Sequence, residues 1–140
     1  MGQLVSDSVE QGREAYRRHA WQEAFQSLRI ADSAAALSPQ DLALLAESAW
    51  FAGDPDAATE ARERAHAEYL VQGDQCQAAG LALQLAVDHF ERLETSIGNG
   101  WLGRARRLLD EAPSECVAHG WQAVSLAYIA LRMTGDRTEA

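Results

Sequence analysis

Lysine is absent from this chain, and all twelve basic residues are arginine. Cysteine occurs only twice, at Cys76 and Cys116. Both sit among apolar neighbours, with no Cys or His at metal-ligand spacing, which predicts buried free thiols in a reducing cytoplasm. No apolar run approaches the ~20 residues of a membrane-spanning helix. The opening Met-Gly-Gln-Leu-Val-Ser-Asp lacks the basic region and apolar core of a secretion signal. Positive charge is in deficit, with a net charge of −9. A surface of that sign repels a phosphate backbone and excludes nucleic-acid binding by this segment. The one basic cluster, Arg104, Arg106 and Arg107, reads as a solvated helix face.

β-Strand signals are missing too. No stretch alternates apolar and polar residues for more than a few positions, and β-branched residues are sparse. What is present is helical spacing, in a chain long enough at 140 residues to bury a core. Val5, Val9, Gly12 and Tyr16 share one face of a first helix; Trp21, Ala24, Leu28, Ala31 and Ala35 share that of a second. Leu42, Leu45 and Ala49 mark a third, and Ala58, Ala61, Ala65 and Tyr69 a fourth. Cys76, Ala79, Leu83, Ala86, Phe90 and Leu93 run down a fifth. Leu102, Ala105 and Leu109 indicate a sixth. Val117, Trp121, Val124, Tyr128 and Leu131 indicate a seventh.

The predicted boundaries have definite chemistry. Gly53-Asp54, Gly73-Asp74 and Gly135-Asp136 each place a left-handed glycine before an aspartate able to cap the next helix. Ser38-Pro39 repeats the logic with serine. Gln77 and Glu139 stand three residues after their aspartates, close to a reciprocal capping box. Aligning short turns matches His19 with Gly53, Gly100 and Gly135, and alanine follows five residues later at 24, 58, 105 and 140. The first interval, 34 residues, is the length of a tetratricopeptide helix–turn–helix repeat. Small residues recur where paired helices must approach: Gly12, Ala24, Ala46, Ala58, Ala65 and Ala105. The expectation is an all-α single domain over residues 1–140, with about seven helices in stacked antiparallel hairpins. Its repeats fall near residues 5–37, 39–72 and 74–112, with an incomplete one at 114–140. A helix-start signal at Asp136, one turn before Ala140, predicts that the chain is the N-terminal part of a longer protein.

The turn-plus-alanine pattern resembles degenerate tetratricopeptide repeats, carried by Gly12, Ala24 and Ala31 and then by Leu42, Leu45, Ala46, Ala58 and Ala65. The lengthened third repeat and the missing closing prolines depart from that pattern. Gly12-Arg-Glu-Ala-Tyr16, Leu44-Leu-Ala-Glu-Ser-Ala-Trp50, Ala82-Leu-Gln-Leu-Ala-Val-Asp-His-Phe90 and Gly100-Trp-Leu-Gly-Arg-Ala-Arg-Arg-Leu-Leu109 are similar to the helical-repeat region of actinobacterial LuxR-type transcriptional regulators. That resemblance implies an α-solenoid, a bacterial regulatory setting and a protein or peptide partner on a concave face.

Chemistry-bearing motifs are few. Gly98-Asn-Gly100-Trp-Leu-Gly103 fits a dinucleotide fingerprint by letter, but no strand precedes it, so the glycines read as a tight inter-helix turn. His19, His66, His89 and His119 fall on different elements, none paired at metal-protease spacing. Asp88-His89 with Glu91 has no nucleophile placed beside it by a motif. These residues predict no catalytic site, metal or cofactor. Trp21, Trp101 and Trp121 continue core faces. Trp50 and Phe51, at the end of a first-in-pair helix, are the candidate partner-contact residues. The seventh helix is apolar on most faces and predicts a homodimer seam through Trp121, Tyr128, Ile129 and Met133. The leading expectation is therefore a non-enzymatic protein-interaction module. The alternative is a sensory domain taking a small apolar effector in the repeat groove.

Overall fold

The computed structural model describes residues 2–138, with the backbone alone for Val5 and for residues 134–138. Among the described residues it is all-helical: α1 (Gly2–Arg17), α2 (Trp21–Ala34), α3 (Pro39–Phe51), α4 (Pro55–Val71), α5 (Gln75–Glu91), α6 (Thr95–Glu111) and α7 (Ala118–Thr138). No helix is long and apolar enough to cross a membrane, among the residues described. The chain gathers into two compact units, Met1–Glu68 and Tyr69–Ala140.

One turn is built four times. At His19, Gly53, Gly73 and Leu93 the backbone enters the left-handed region, with φ of 58°, 91°, 76° and 61°. In each, the residue after the turn donates its N–H to the carbonyl five back: Ala20 to Ala15, Asp54 to Ala49, Asp74 to Tyr69 and Glu94 to His89. The turn residue donates in turn to the carbonyl three back. That paired bonding is the Schellman arrangement, which satisfies the last carbonyls of a helix. Five residues after each turn comes a small buried residue: Ala24, Ala58, Ala78 and Gly98. The aspartate caps stand as read from sequence, with Asp54 accepting from Ala57 N–H and Asp74 from Gln77 N–H. Ser38 accepts from Asp41 N–H at 3.2 Å.

Two boundary expectations and one about the cysteines are corrected. Gly98 and Gly100 lie inside α6, and the break falls earlier, at Leu93. Gly98 serves close packing instead: a Cβ there would stand 2.9 Å from the Phe90 ring and 3.2 Å from the Ala86 carbonyl oxygen. Gly135-Asp136 does not end a helix, because α7 runs on to Thr138. Glu139 and Ala140, the remainder of that expected boundary, lie outside the described residues. Finally, Cys76 and Cys116 are not free thiols but a disulfide, with Cα atoms 5.7 Å apart. Spacing along the chain could not show this, since the α5–α6 hairpin folds the two ends of a 40-residue separation together.

In the first unit α1 packs antiparallel on α2, α2 on α3, and α1 also touches α3. Gly12 lets α1 and α2 approach: a Cβ there would lie 2.5 Å from Leu28 Cγ, and Leu28 is fully buried. Arg13 forks onto Asp41 with Nε to Oδ1 at 2.9 Å and Nη2 to Oδ2 at 2.8 Å. Tyr16 donates to Glu47 at 2.5 Å, three residues farther along α1 and six farther along α3, so the two helices run in the same direction. Burial first, and then that carboxylate, push the Tyr16 phenol up to about 12. Arg64 of α4 forks onto Asp32 of α2 at 2.7 and 2.9 Å.

Hydrogen bonds from the Arg64 guanidinium hold the Asp32 carboxyl below its ordinary value of 3.8, against the opposing effect of burial. A carboxyl with a depressed folded-state pKa binds fewer protons folded than unfolded. Its contribution is therefore complete above the ordinary carboxylate value and is lost as pH falls through the lowered one. Arg64→Gln is expected to lower the denaturation midpoint at about pH 7. That difference from the parent should shrink as pH falls below the ordinary carboxylate value and through the lowered one of Asp32. A gap that stays constant on acidification would contradict this account of the pair.

In the second unit α5 packs against both α6 and α7. Its core holds Leu83, Leu85, Trp101, Leu102 and Leu109 among buried alanines. The disulfide joins the start of α5 to the residues leading into α7. Near the other end of both helices, Glu91 accepts from the Tyr128 hydroxyl and pairs with Arg132 at 3.2 Å. Helices α5 and α7 thus run parallel, clamped covalently at one end and by this polar triad at the other.

Candidate interaction surfaces and cavity

Helix α7 has an outward face that carries no charge before Arg132. Between Glu115 and Arg132 the sequence contains no Asp, Glu or Arg. On the solvent side stand Val117 (72% exposed), Trp121 (60%), Val124 (57%), Tyr128 (40%) and Leu131 (71%). Met133, expected in the same seam, is exposed on the other side of the helix, with Ile129 at the cavity wall. Between the five solvent-side residues lie only small exposed ones, Gly120, Ala123, Ala127 and Ala130. Large apolar side chains left in water at such density are unusual for a soluble monomer, whose largest apolar patch is roughly 300–600 Å2. The structure corrects the expected membership of this seam. Ile129 is buried and faces into the unit, whereas Trp121, read from sequence as continuing a core face, is exposed.

A second cluster lies in the first unit, where the α1–α2 turn meets the end of α3. Phe51, 58% exposed, stacks on Trp21 with ring centroids 4.8 Å apart. Trp21 in turn stacks on His19 at 5.0 Å and meets the edge of Tyr16 at 5.6 Å. The expectation that Trp21 is core is thus corrected: it is half-buried in a ring stack at the turn end of the hairpin. Trp50 sits apart from the stack, half-buried, with the Arg62 guanidinium 5.8 Å over its ring. The two neighbours in sequence therefore do different work. Phe51 is available for contact and Trp50 is largely a packing residue. Trp101 is buried as expected, under Arg104 at 4.4 Å. That accounts for one arginine of the basic cluster, and Arg106 and Arg107 are solvent-exposed.

A cavity of about 200 Å3 opens beside the α5–α7 clamp. Phe90, Leu93, Ile129 and Met133 form its apolar walls, and Glu91, Thr95, Tyr128 and Arg132 its polar ones. Sequence reasoning missed it, because its two halves lie 37 and 41 residues apart at the Glu91 bonds.

The acid–base residues around His89 do not converge. His89 is buried, its Nδ1 3.3 Å from Glu94 Oε1, and its Nε2 has no hydrogen-bond partner. Asp88 beside it accepts from Gln84 at 3.0 Å. Glu91 of the same motif turns away to Tyr128 and Arg132. No group of three His, Cys, Asp or Glu side chains could hold a metal ion among the described residues. With the fingerprint glycines inside α6, no loop is present there to cradle a pyrophosphate. Comparison with protein-family models, with curated proteins and with solved structures finds no match.

Proposed function

We propose that this chain is a non-enzymatic protein–protein interaction module, its hairpins a TPR-like α-solenoid serving a bacterial, LuxR-like transcriptional or signalling regulator. The observation that carries the reading is the outward face of α7, free of charge before Arg132. Its five large apolar residues leave roughly 600 Å2 in water, the top of the range for the largest apolar patch of a soluble monomer, and such patches are often functional. The Phe51–Trp21 stack supplies a smaller aromatic contact of the kind enriched among binding hot spots. The regulatory setting rests on the resemblance of the repeat stretches alone. A cytoplasmic location goes with it, and there the Cys76–Cys116 bridge would be contested by cellular thiols.

The experiment is photo-cross-linking in the producing cell, with a photoreactive side chain in place of Trp121 and, as control, of solvent-facing Arg106. A discrete protein adduct from position 121 and none from position 106 is expected. Equal labelling of both, or of neither, would count against a docking face on α7.

A second reading, a small apolar effector sensed by the domain, is favoured by the clamp cavity. Its apolar walls and few polar groups have the make-up of a small-molecule site. At about 200 Å3 it falls below the usual range of roughly 300–1,000 Å3, so the interaction reading leads.

A further inference from the structure

We infer that the occupant of the α7 face is a second copy of this chain, its α7 laid antiparallel across the first in one definite register. The inference rests on the interaction reading above and names the partner. The exposed side chains Trp121, Val124, Tyr128 and Leu131 are spaced by 3, 4 and 3 residues, the interval of a coiled-coil seam. Reversing one copy against the other places Trp121 opposite the second copy's Leu131 and Val124 opposite its Tyr128. By symmetry the same two layers recur beyond the axis, which passes level with position 126. Each of the layers then pairs one aromatic with one aliphatic side chain, so neither two bulky rings nor two small residues meet. An isologous two-fold interface needs this kind of self-complementarity.

Charge favours the same occupant. Two chains of net charge −9 repel wherever acidic surfaces meet. The α7 face is where two copies can close without bringing charged side chains together, since residues 116–131 carry none. The area agrees: about 600 Å2 from each copy gives a total near 1,200 Å2, the lower end of specific interfaces. Tyr128 is prepared for the contact, its hydroxyl tied to Glu91 while 40% of the residue stays exposed. Trp121 and Leu131 stand off the α5–α7 clamp and its cavity wall, so substituting them tests the face and not the fold.

The test is sedimentation velocity on the intact chain and on Trp121→Lys and Leu131→Glu, with helicity followed by circular dichroism. The parent is expected to dimerise reversibly at micromolar concentration. Each variant should keep its helicity and associate at least tenfold more weakly. An equimolar mixture of the two should recover a heterodimer, because the register sets Lys against Glu in one layer and leaves the others native. A parent chain monomeric at several hundred micromolar overturns the dimer. So do variants that dimerise like the parent, and a mixture that stays monomeric overturns the register. A monomeric parent whose position 121 still cross-links to another protein leaves the interaction reading standing and removes only the second copy.

Discussion

Replacing both members of the Cys76–Cys116 bridge with serine is expected to lower the unfolding free energy of the second unit by about 4 kcal/mol. The bridge closes a loop of sequence separation 40. In the chain-entropy account, a cross-link over that length removes about 4 kcal/mol of conformational freedom from the unfolded chain. Small-domain stability totals about 5–15 kcal/mol, so this one bond is a large share of it. The loss should concentrate where the bond acts. It anchors the residues leading into α7 against the start of α5, and without it the other end is held chiefly by Glu91 and its two partners. Denaturant unfolding of oxidised, reduced and Cys76→Ser/Cys116→Ser protein measures the effect, with hydrogen exchange locating it. A difference under about 1 kcal/mol would mean that the folded chain does not depend on the bond.

The second large effect concerns the close approach of α1 and α2 at Gly12. Leu28 is fully buried, and its truncation to alanine should cost about 2–5 kcal/mol. Gly12 faces it so closely that an added methyl would lie 2.5 Å from Leu28 Cγ and 2.7 Å from Cδ2. Gly12→Ala alone sets two effects against each other. Alanine within a helix gains about 1 kcal/mol over glycine, while overpacking a filled core costs about 1–3 kcal/mol. With Leu28 unable to withdraw into solvent, the overpacking wins, and a net loss of about 1 kcal/mol is expected. In the Leu28→Ala background the clash disappears and the new methyl fills part of the cavity. There Gly12→Ala should stabilise by about 1 kcal/mol. The sign reversal is the result to look for in a double-mutant cycle by denaturant unfolding. Simple additivity would show that Gly12 is not held small by Leu28.

Most of the fold could be read from the chain, for reasons that the structure makes concrete. Helix spans follow from apolar spacing because one stripe of each helix is buried, as with Ala58, Ala61, Ala65 and Tyr69. Ser38, Asp54 and Asp74 were legible because a cap acts on amides only two or three residues away. What was not legible depends on context. Glycine marks a turn at Gly53 and Gly73, close packing at Gly12 and Gly98, and no helix end at Gly135. Leu93 takes a left-handed conformation that leucine ordinarily avoids, so local preference pointed away from it. A signal was nonetheless present. Gly53, Gly73 and Leu93 are evenly spaced, each followed by an acidic residue and, five positions on, by a small one.

The candidate surfaces were legible in part. The apolar surplus of α7 showed in its sequence. Which side chains face water did not, because that depends on where α5 lies, and so Ile129 was assigned to the seam while Val117, Val124 and Leu131 were not. Trp50 and Phe51 were separable only once the ring stack on Trp21 and the cover from Arg62 were visible. The clamp cavity and the disulfide both join residues some forty positions apart, beyond the reach of any local pattern.

The claim on which the account turns is that the outward face of α7 is open in the isolated chain and covered when the protein works. Oxidative footprinting of Trp121, with buried Trp101 as internal reference, tests it most directly. The dilute purified chain should show Trp121 reacting freely and Trp101 protected, and the same protein footprinted inside the producing cell should show both protected. Trp121 equally reactive in the two settings would contradict the account.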